Sequence, residues 1–201
     1  ARRLTKDTDD IDMVLADITL KCGDLVATIE TLEALLKTSP GNATADALLI
    51  RAKAKLASME GTSHAKAAKE WAKHHLPIAA KPEFANRRQA DKRLRIGWLS
   101  PFFCEHPSYK ILAALARHLN RHEIELFLYS ATPRPDDVTR SWQVMADGWR
   151  EVCGQDPMQI ADRIRKDKVD ILIDPCGAHP TQPIEVFALK AAPVQASLSA
   201  I

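Results

Sequence analysis

The 201-residue chain reads as a helical segment over residues 1–76, a linker over 77–92 and an α/β lobe over 93–201. Three observations predict this. Before Pro77 the apolar residues recur at helical spacing. Between Pro77 and Arg93 the chain turns polar and charged, ending in Asn86-Arg87-Arg88-Gln89-Ala90-Asp91-Lys92-Arg93. From Leu94 onward short apolar runs alternate with amphipathic helices, the grammar of a mostly parallel sheet covered on both faces and joined by right-handed crossovers.

In the first segment, Ile11, Val14, Leu15, Ile18 and Thr19 mark one helix, which Gly23-Asp24 breaks. Ile29, Leu32, Leu35 and Leu36 mark a second, ending before Ser39-Pro40-Gly41-Asn42. A third is expected from Ala43 to Met59, stopped by Gly61, and a fourth from Ser63 to His75, closed by Pro77 because proline cannot continue a helix interior. The hairpin from Asp9 to Asn42 spans about 34 residues, the length of a tetratricopeptide repeat. Its inter-helix turn and closing proline fall where that repeat has them, although Asp12 and Thr28 stand at positions where Trp and Ala are common. The segment is therefore tetratricopeptide-like, and such repeats bury their faces against neighbouring repeats.

In the second segment, strands are expected at Leu94–Leu99, Ile124–Tyr129, Trp149–Val152, Val169–Asp174 and from Pro193. Helices are expected at Ser108–Leu119, Asp136–Ala146, Pro157–Lys166 and Pro183–Leu189. The helix after the first strand presents Ile111, Leu112, Leu115 and Leu119 on one side. The arrangement is Rossmann-like. Ligands of such sheets bind beyond the carboxyl ends of the strands, where the chain offers three loops: 100–107, 130–135 and 174–180.

Composition bounds the function. The net charge of +2, from 28 basic and 26 acidic side chains, gives no strong field for nucleic acid or an anionic membrane. No apolar run has the roughly 20 residues of a membrane helix, and no signal peptide is expected at the first residues, so a cytoplasmic location is the expectation. Cys22, Cys104, Cys153 and Cys176 form no C-x-x-C pair or zinc pattern; they read as single thiols, and no metal site is expected. There is neither a G-x-G-x-x-G nor a Walker loop.

His106 precedes Pro107 at a helix start and is a candidate general acid/base or acceptor contact, since imidazole titrates near neutrality. Asp174 ends a buried apolar strand, where a carboxylate is costly unless paired or wet, so it is either functional or a cap of the following turn. His179 lies in the same loop, and Gly177 supplies a backbone conformation that other residues resist. His74, His75, His118 and His122 read as solvated, and Trp71, Trp142 and Trp149 as packing residues.

Four segments carry a resemblance to the protein O-linked N-acetylglucosamine transferases. Leu94-Arg95-Ile96-Gly97-Trp98-Leu99-Ser100-Pro101-Phe102-Phe103 with Glu105-His106-Pro107 resembles the family's "LRIGYVSPDF…HP". Glu125–Ser130 is similar to "EVFCYS". Ala161–Ile164, Val169–Asp174 and Gly177 are similar to "ADRIR…DILVDLAGHT". Val186–Leu189 and Ala192–Gln195 are similar to "VFALRPAPVQ". The resemblance covers residues 93–195. It implies the amino-terminal lobe of a two-lobed GT-B glycosyltransferase, incomplete at the C-terminus. That enzyme moves N-acetylglucosamine from UDP-N-acetylglucosamine to Ser or Thr of proteins, with no cofactor or metal beyond this donor. It further implies protein or peptide acceptors recruited through the helical segment, His106 and Asp174 as catalytic positions, and Pro107, Gly177 and His179 as substrate-binding positions. This lobe alone is expected to be inactive, because the second lobe carries most of the donor-binding groups. Four differences from the family pattern stand out: Phe102 replaces the Asp of "SPDF", Lys110 the second histidine, Ala178 the loop histidine, and Thr181-Gln182-Pro183 the "G-x-N-R" stretch. A non-catalytic binding module is the alternative.

Overall fold

The computed structural model describes residues 2–56, 61–77, 82–86, 89, 91–177, 179 and 181–198. The chain divides into two compact units, Ala1–Leu76 and Pro77–Ile201.

In the first unit, helices α1 (Arg2–Cys22), α2 (Leu25–Thr38), α3 (Ala43–Leu56) and α4 (Gly61–His75) follow one another. Gly23 turns the chain with φ +84°, and Asp24 caps α2 by accepting a hydrogen bond from the Ala27 amide. Asn42 does the same for α3 through the Ala45 amide. Gly61 opens α4 instead of closing α3, and the expected end of α3 at Met59 lies outside the described residues.

The core here is Ala16, Leu20, Leu32, Leu35, Ala45, Leu48 and Ala52. The apolar stripe that marks α1 in the sequence does not face it: Ile11 and Ile18 are 64% and 52% exposed. Ala16 takes that place, because a small side chain lets α2 approach closely. The Thr28 hydroxyl, at the position where the repeat commonly has Ala, donates to the Asp24 carbonyl at 2.7 Å and lies 2.8 Å from the Thr19 hydroxyl; with these partners it is fully buried. His75 is not solvated. Its imidazole packs on Trp71 and meets Asp46 at 3.0 Å, its side chain 13% exposed.

In the second unit, five parallel strands form one sheet in the order β3-β2-β1-β4-β5. They are β1 (Leu94–Ser100), β2 (Ile124–Ser130), β3 (Gly148–Glu151), β4 (Ile171–Asp174) and β5 (Val194–Ser197). The helices between them are α5 (Tyr109–Arg117), α6 (Asp137–Met145), α7 (Pro157–Lys166) and α8 (Glu185–Ala188). Strand alternation builds two cores. Trp98, Leu126 and Leu128 join Phe103, Leu112, Ala113, Ala116 and Trp142 on one face. Leu99, Tyr129 and Leu172 join Ile160, Ile164, Val169, Val186 and Leu189 on the other. Burial of both faces explains why these strands read as nearly continuous apolar runs.

Helix α5 corrects a second expected face. Leu112, Ala113 and Ala116 are buried, whereas Ile111 is 70% exposed and Leu115 47%. The sheet again receives the side with the small residues.

Asn86 and Lys92, expected in a polar linker, are tied to the sheet. Asn86 Nδ2 donates to Asp170 Oδ1 at 2.7 Å and to the Lys168 carbonyl at 2.9 Å, with the Val169 carbonyl 3.2 Å away. Lys92 Nζ meets the same oxygen, and the Arg95 amide donates to Asp170 Oδ2 at 3.0 Å. Burial pushes the Asp170 carboxyl up, but these donors outweigh it and hold it below the ordinary aspartate range. Among the described residues, no helix is long and apolar enough to cross a membrane.

Candidate functional site

The order β3-β2-β1-β4-β5 places β1 beside both β2 and β4, so the connections leave β1 in opposite directions. Sheets of this kind open a crevice at that point, beyond the carboxyl ends of the strands. Two of the three predicted loops, after β1 and after β4, flank it, and they touch. Ser100 Oγ and Cys176 Sγ are 3.0 Å apart. Gln182 Nε2, from the second loop, donates to the Leu99 carbonyl of β1 at 2.8 Å.

Asp174 organises the β4 loop. Its Oδ1 accepts from the Cys176 amide at 2.9 Å, the Gly177 amide at 3.0 Å and Gln182 Nε2 at 2.9 Å. Its Oδ2 accepts from the Ser197 hydroxyl of β5 at 3.2 Å. A carboxylate that is 8% exposed is therefore satisfied by four donors of the chain itself, which is the capping alternative foreseen from its position. Gly177 is buried with φ +66°, a conformation in which a side chain is strained. Burial, partly countered by the contact with Ser100, pushes the Cys176 thiol up to about 11, so it stays protonated and is no nucleophile near neutrality.

His106 and His179 come from different loops yet meet one side chain. The Phe102 ring stacks on His106 with centroids 4.0 Å apart and planes 6° from parallel. It meets His179 edge to face, at 4.6 Å and 80°. Each histidine is also held by its own turn. The Ser108 amide donates to His106 Nδ1 at 3.2 Å, with the Ser108 hydroxyl 2.7 Å from the same nitrogen. The Thr181 amide and hydroxyl stand in the same relation to His179 Nδ1, at 3.3 Å and 2.9 Å. The two tripeptides, His106-Pro107-Ser108 and His179-Pro180-Thr181, thus repeat one motif. A backbone amide can only donate, so each Nδ1 accepts and each neutral ring carries its proton on Nε2. Burial, with no neighbouring charge contributing, holds His106 below its ordinary value of 6.5 and keeps it neutral near pH 7. Acting as a base at Nε2 would require the other tautomer and would leave the Ser108 amide facing an N–H.

The third loop, after β2, braces the first. The Phe103 amide donates to Thr132 Oγ1 at 3.1 Å, and the Glu105 amide to Asp136 Oδ2 at 2.7 Å. Asp136 also caps α6 in a capping box with Thr139. Pro107 is exposed beside His106. The structure thus brings His106 and His179 together on Phe102, and gathers Asp174 and Gly177 in a separate hydrogen-bonded turn. Phe102, Gln182, Ser108 and Thr181 were not predicted as site residues. Phe102, Thr181 and Gln182 stood out in the sequence only as differences from the family pattern, and the repeated His-Pro-Ser/Thr is a signal that could have found Ser108 and Thr181.

Residues 61–199 match Glycosyl transferase family 41, a stretch that includes every loop just described. The chain belongs to that family. It is 33% identical over 135 residues to the rice (Oryza sativa subsp. japonica) protein described as a probable UDP-N-acetylglucosamine–peptide N-acetylglucosaminyltransferase SPINDLY, covering 63% of this chain and 14% of that one. The Arabidopsis thaliana protein described as the probable transferase SEC is 33% identical over 107 residues, covering 53% of this chain and 11% of its own length. Among solved structures, a lysine-to-methionine mutant of the Thermobaculum terrenum O-GlcNAc transferase superposes with a TM-score of 0.89 at 25% identity. That match covers 96% of this chain and 37% of the other. This family 41 chain therefore spans a small part of the length of the proteins it matches.

Proposed function

We propose that this chain is the helical lead-in and first α/β lobe of a GT-B glycosyltransferase that transfers N-acetylglucosamine from UDP-N-acetylglucosamine to Ser or Thr of protein acceptors. The observation that carries this reading is the family 41 match over 61–199, which spans the crevice between the β1 and β4 loops. In it, His106 and His179 contact the acceptor or sugar as hydrogen-bond donors, with Pro107 beside them. Asp174 and Gly177 act by shaping the β4 loop, since both Asp174 oxygens are already engaged. The donor is the nucleotide sugar, with no further cofactor and no metal, and the reaction takes place in the cytoplasm.

The first unit is read as tetratricopeptide-like and as the segment that recruits protein acceptors. Its exposed stripe of Ile11, Val14, Leu15 and Ile18 is the kind of face that a neighbouring helical repeat buries. The 201 residues fold into the helical unit and one α/β lobe, and transfer in this reading needs two lobes around the donor, so the 201 residues by themselves are expected to be inactive. The test is a UDP-release assay with a peptide acceptor. A longer protein containing this chain should turn over, and the 201-residue chain should not; release by the short chain would overturn the two-lobe reading.

The stacking of Phe102 on His106 favours a second reading, a non-catalytic binding module, because an aromatic ring covers one face of the proposed site residue. Calorimetric titration of UDP-N-acetylglucosamine into the longer protein separates the two. Binding with turnover supports the transferase, and absence of both supports the module.

A further inference from the structure

Phe102 stands where the resembling transferases carry an aspartate, and it touches both loop histidines. A carboxylate there would draw a proton onto an adjacent imidazole, whereas an aromatic face offers it no anionic partner. The backbone of Phe102 is itself anchored. Its amide donates to Ser100 Oγ at 3.0 Å, and the next residue, Phe103, is fully buried and bonded to Thr132. The Phe102 ring therefore projects from a fixed point at the end of β1. Glu105 lies on the same loop, with its amide on Asp136, and the Asp174 oxygens are occupied by two amides, Gln182 and Ser197.

We propose that Phe102 is a positioning residue. It holds the rings of His106 and His179 as one unit between the β1 and β4 loops, each with Nδ1 accepting from its own Ser or Thr turn and its proton on Nε2. The turns set the tautomers, and Phe102 sets the ring planes and couples them. This rests on reading the crevice as the transferase site only for its catalytic meaning; the coupling itself is a property of the chain. The His106 imidazole in this state suits an oxygen acceptor that is not to be deprotonated, such as a sugar or diphosphate oxygen.

The test is nuclear magnetic resonance of the histidine rings in the 201-residue chain, which needs neither donor nor acceptor. Nitrogen shifts should report the Nε2–H tautomer for both rings, and His106 ring protons should lie upfield from stacking on Phe102. Phe102→Leu should remove the upfield shift and disorder both rings, with core amide signals unchanged, and Phe102→Tyr should restore it. His179→Gln should move the His106 signals in the native background and leave them still in Phe102→Leu. Phe102→Leu spectra with both rings unchanged would overturn the proposal, as would an Nδ1–H tautomer in the native chain. A longer protein that shows no turnover would defeat the transferase reading while leaving these spectra as predicted.

Discussion

Gln182 Nε2 donates to Asp174 Oδ1 at 2.9 Å and, at the same time, to the Leu99 carbonyl at 2.8 Å. One buried amide thereby ties the loop after β4 to the strand on the other side of the crevice. Gln182→Ala removes a buried donor shared by the Leu99 carbonyl and Asp174, and the expected cost is about 2 kcal/mol. Urea unfolding checks the magnitude. Hydrogen exchange should show faster exchange at the Cys176 and Gly177 amides, with the β2 amides unaffected.

Asp174 should be more sensitive to truncation than to loss of charge. Asp174→Ala removes the acceptor of two amides and Gln182 and is expected to cost about 3 kcal/mol. Asp174→Asn keeps one carbonyl oxygen for those three donors, and its new amide can donate to the Ser197 hydroxyl, so the expected loss is about 1 kcal/mol. Thermal unfolding of the two variants gives the order directly.

Asp170 predicts an acid-labile anchor for Asn86 and Lys92. Its folded pKa lies below its unfolded value because of Lys92, the Arg95 amide and Asn86. The stability it contributes is therefore present above the unfolded pKa, near 4, and is lost as pH falls through the lower folded value. Asp170→Asn should flatten the acid limb of a stability-against-pH curve and cost about 2 kcal/mol at pH 7.

His106 predicts a slope of different origin. Burial places its folded pKa below 6.5, so the unfolded chain binds more protons between the two values. Stability should rise with pH across that window and level off above 6.5. Comparing urea midpoints of the native chain and His106→Gln from pH 5 to 7.5 isolates the contribution. A slope that persists unchanged in the variant would assign it elsewhere.

Gly97 is a packing requirement of β1. A Cβ there would stand 3.0 Å from Val169 Cγ1, 3.2 Å from the Tyr129 ring and 3.3 Å from Leu172 Cδ1. Tyr129 cannot retreat freely, because its hydroxyl donates to Asp167 at 2.9 Å, and Asp167 is also gripped by two nitrogens of Arg150. Gly97→Ala is expected to destabilise by about 2 kcal/mol through overpacking, read from the thermal midpoint.

The alternation of apolar runs and amphipathic helices determined the α/β lobe, because a strand buried on both faces must be apolar throughout and a helix covering it must be amphipathic. Pro157 and the residues following it marked α7 at its observed bounds, Pro157–Lys166. Gly23-Asp24 marked the first helical turn for reasons equally local: a positive φ and a cap. What only the tertiary structure decided was which apolar side of α1 and α5 is buried. Both helices carry two candidate stripes, and close packing selected the one with the smaller residues, Ala16 in α1 and Ala113 and Ala116 in α5. The same holds at the crevice. His106, Asp174 and His179 stood out in the sequence by type and place, but nothing local relates Phe102 to His179 or Gln182 to Leu99. Those contacts exist because parallel pairing of β1 with β4 brings the ends of two distant strands side by side. Pairing between strands far apart in the chain is set by the whole sheet, so it cannot be read from any one segment.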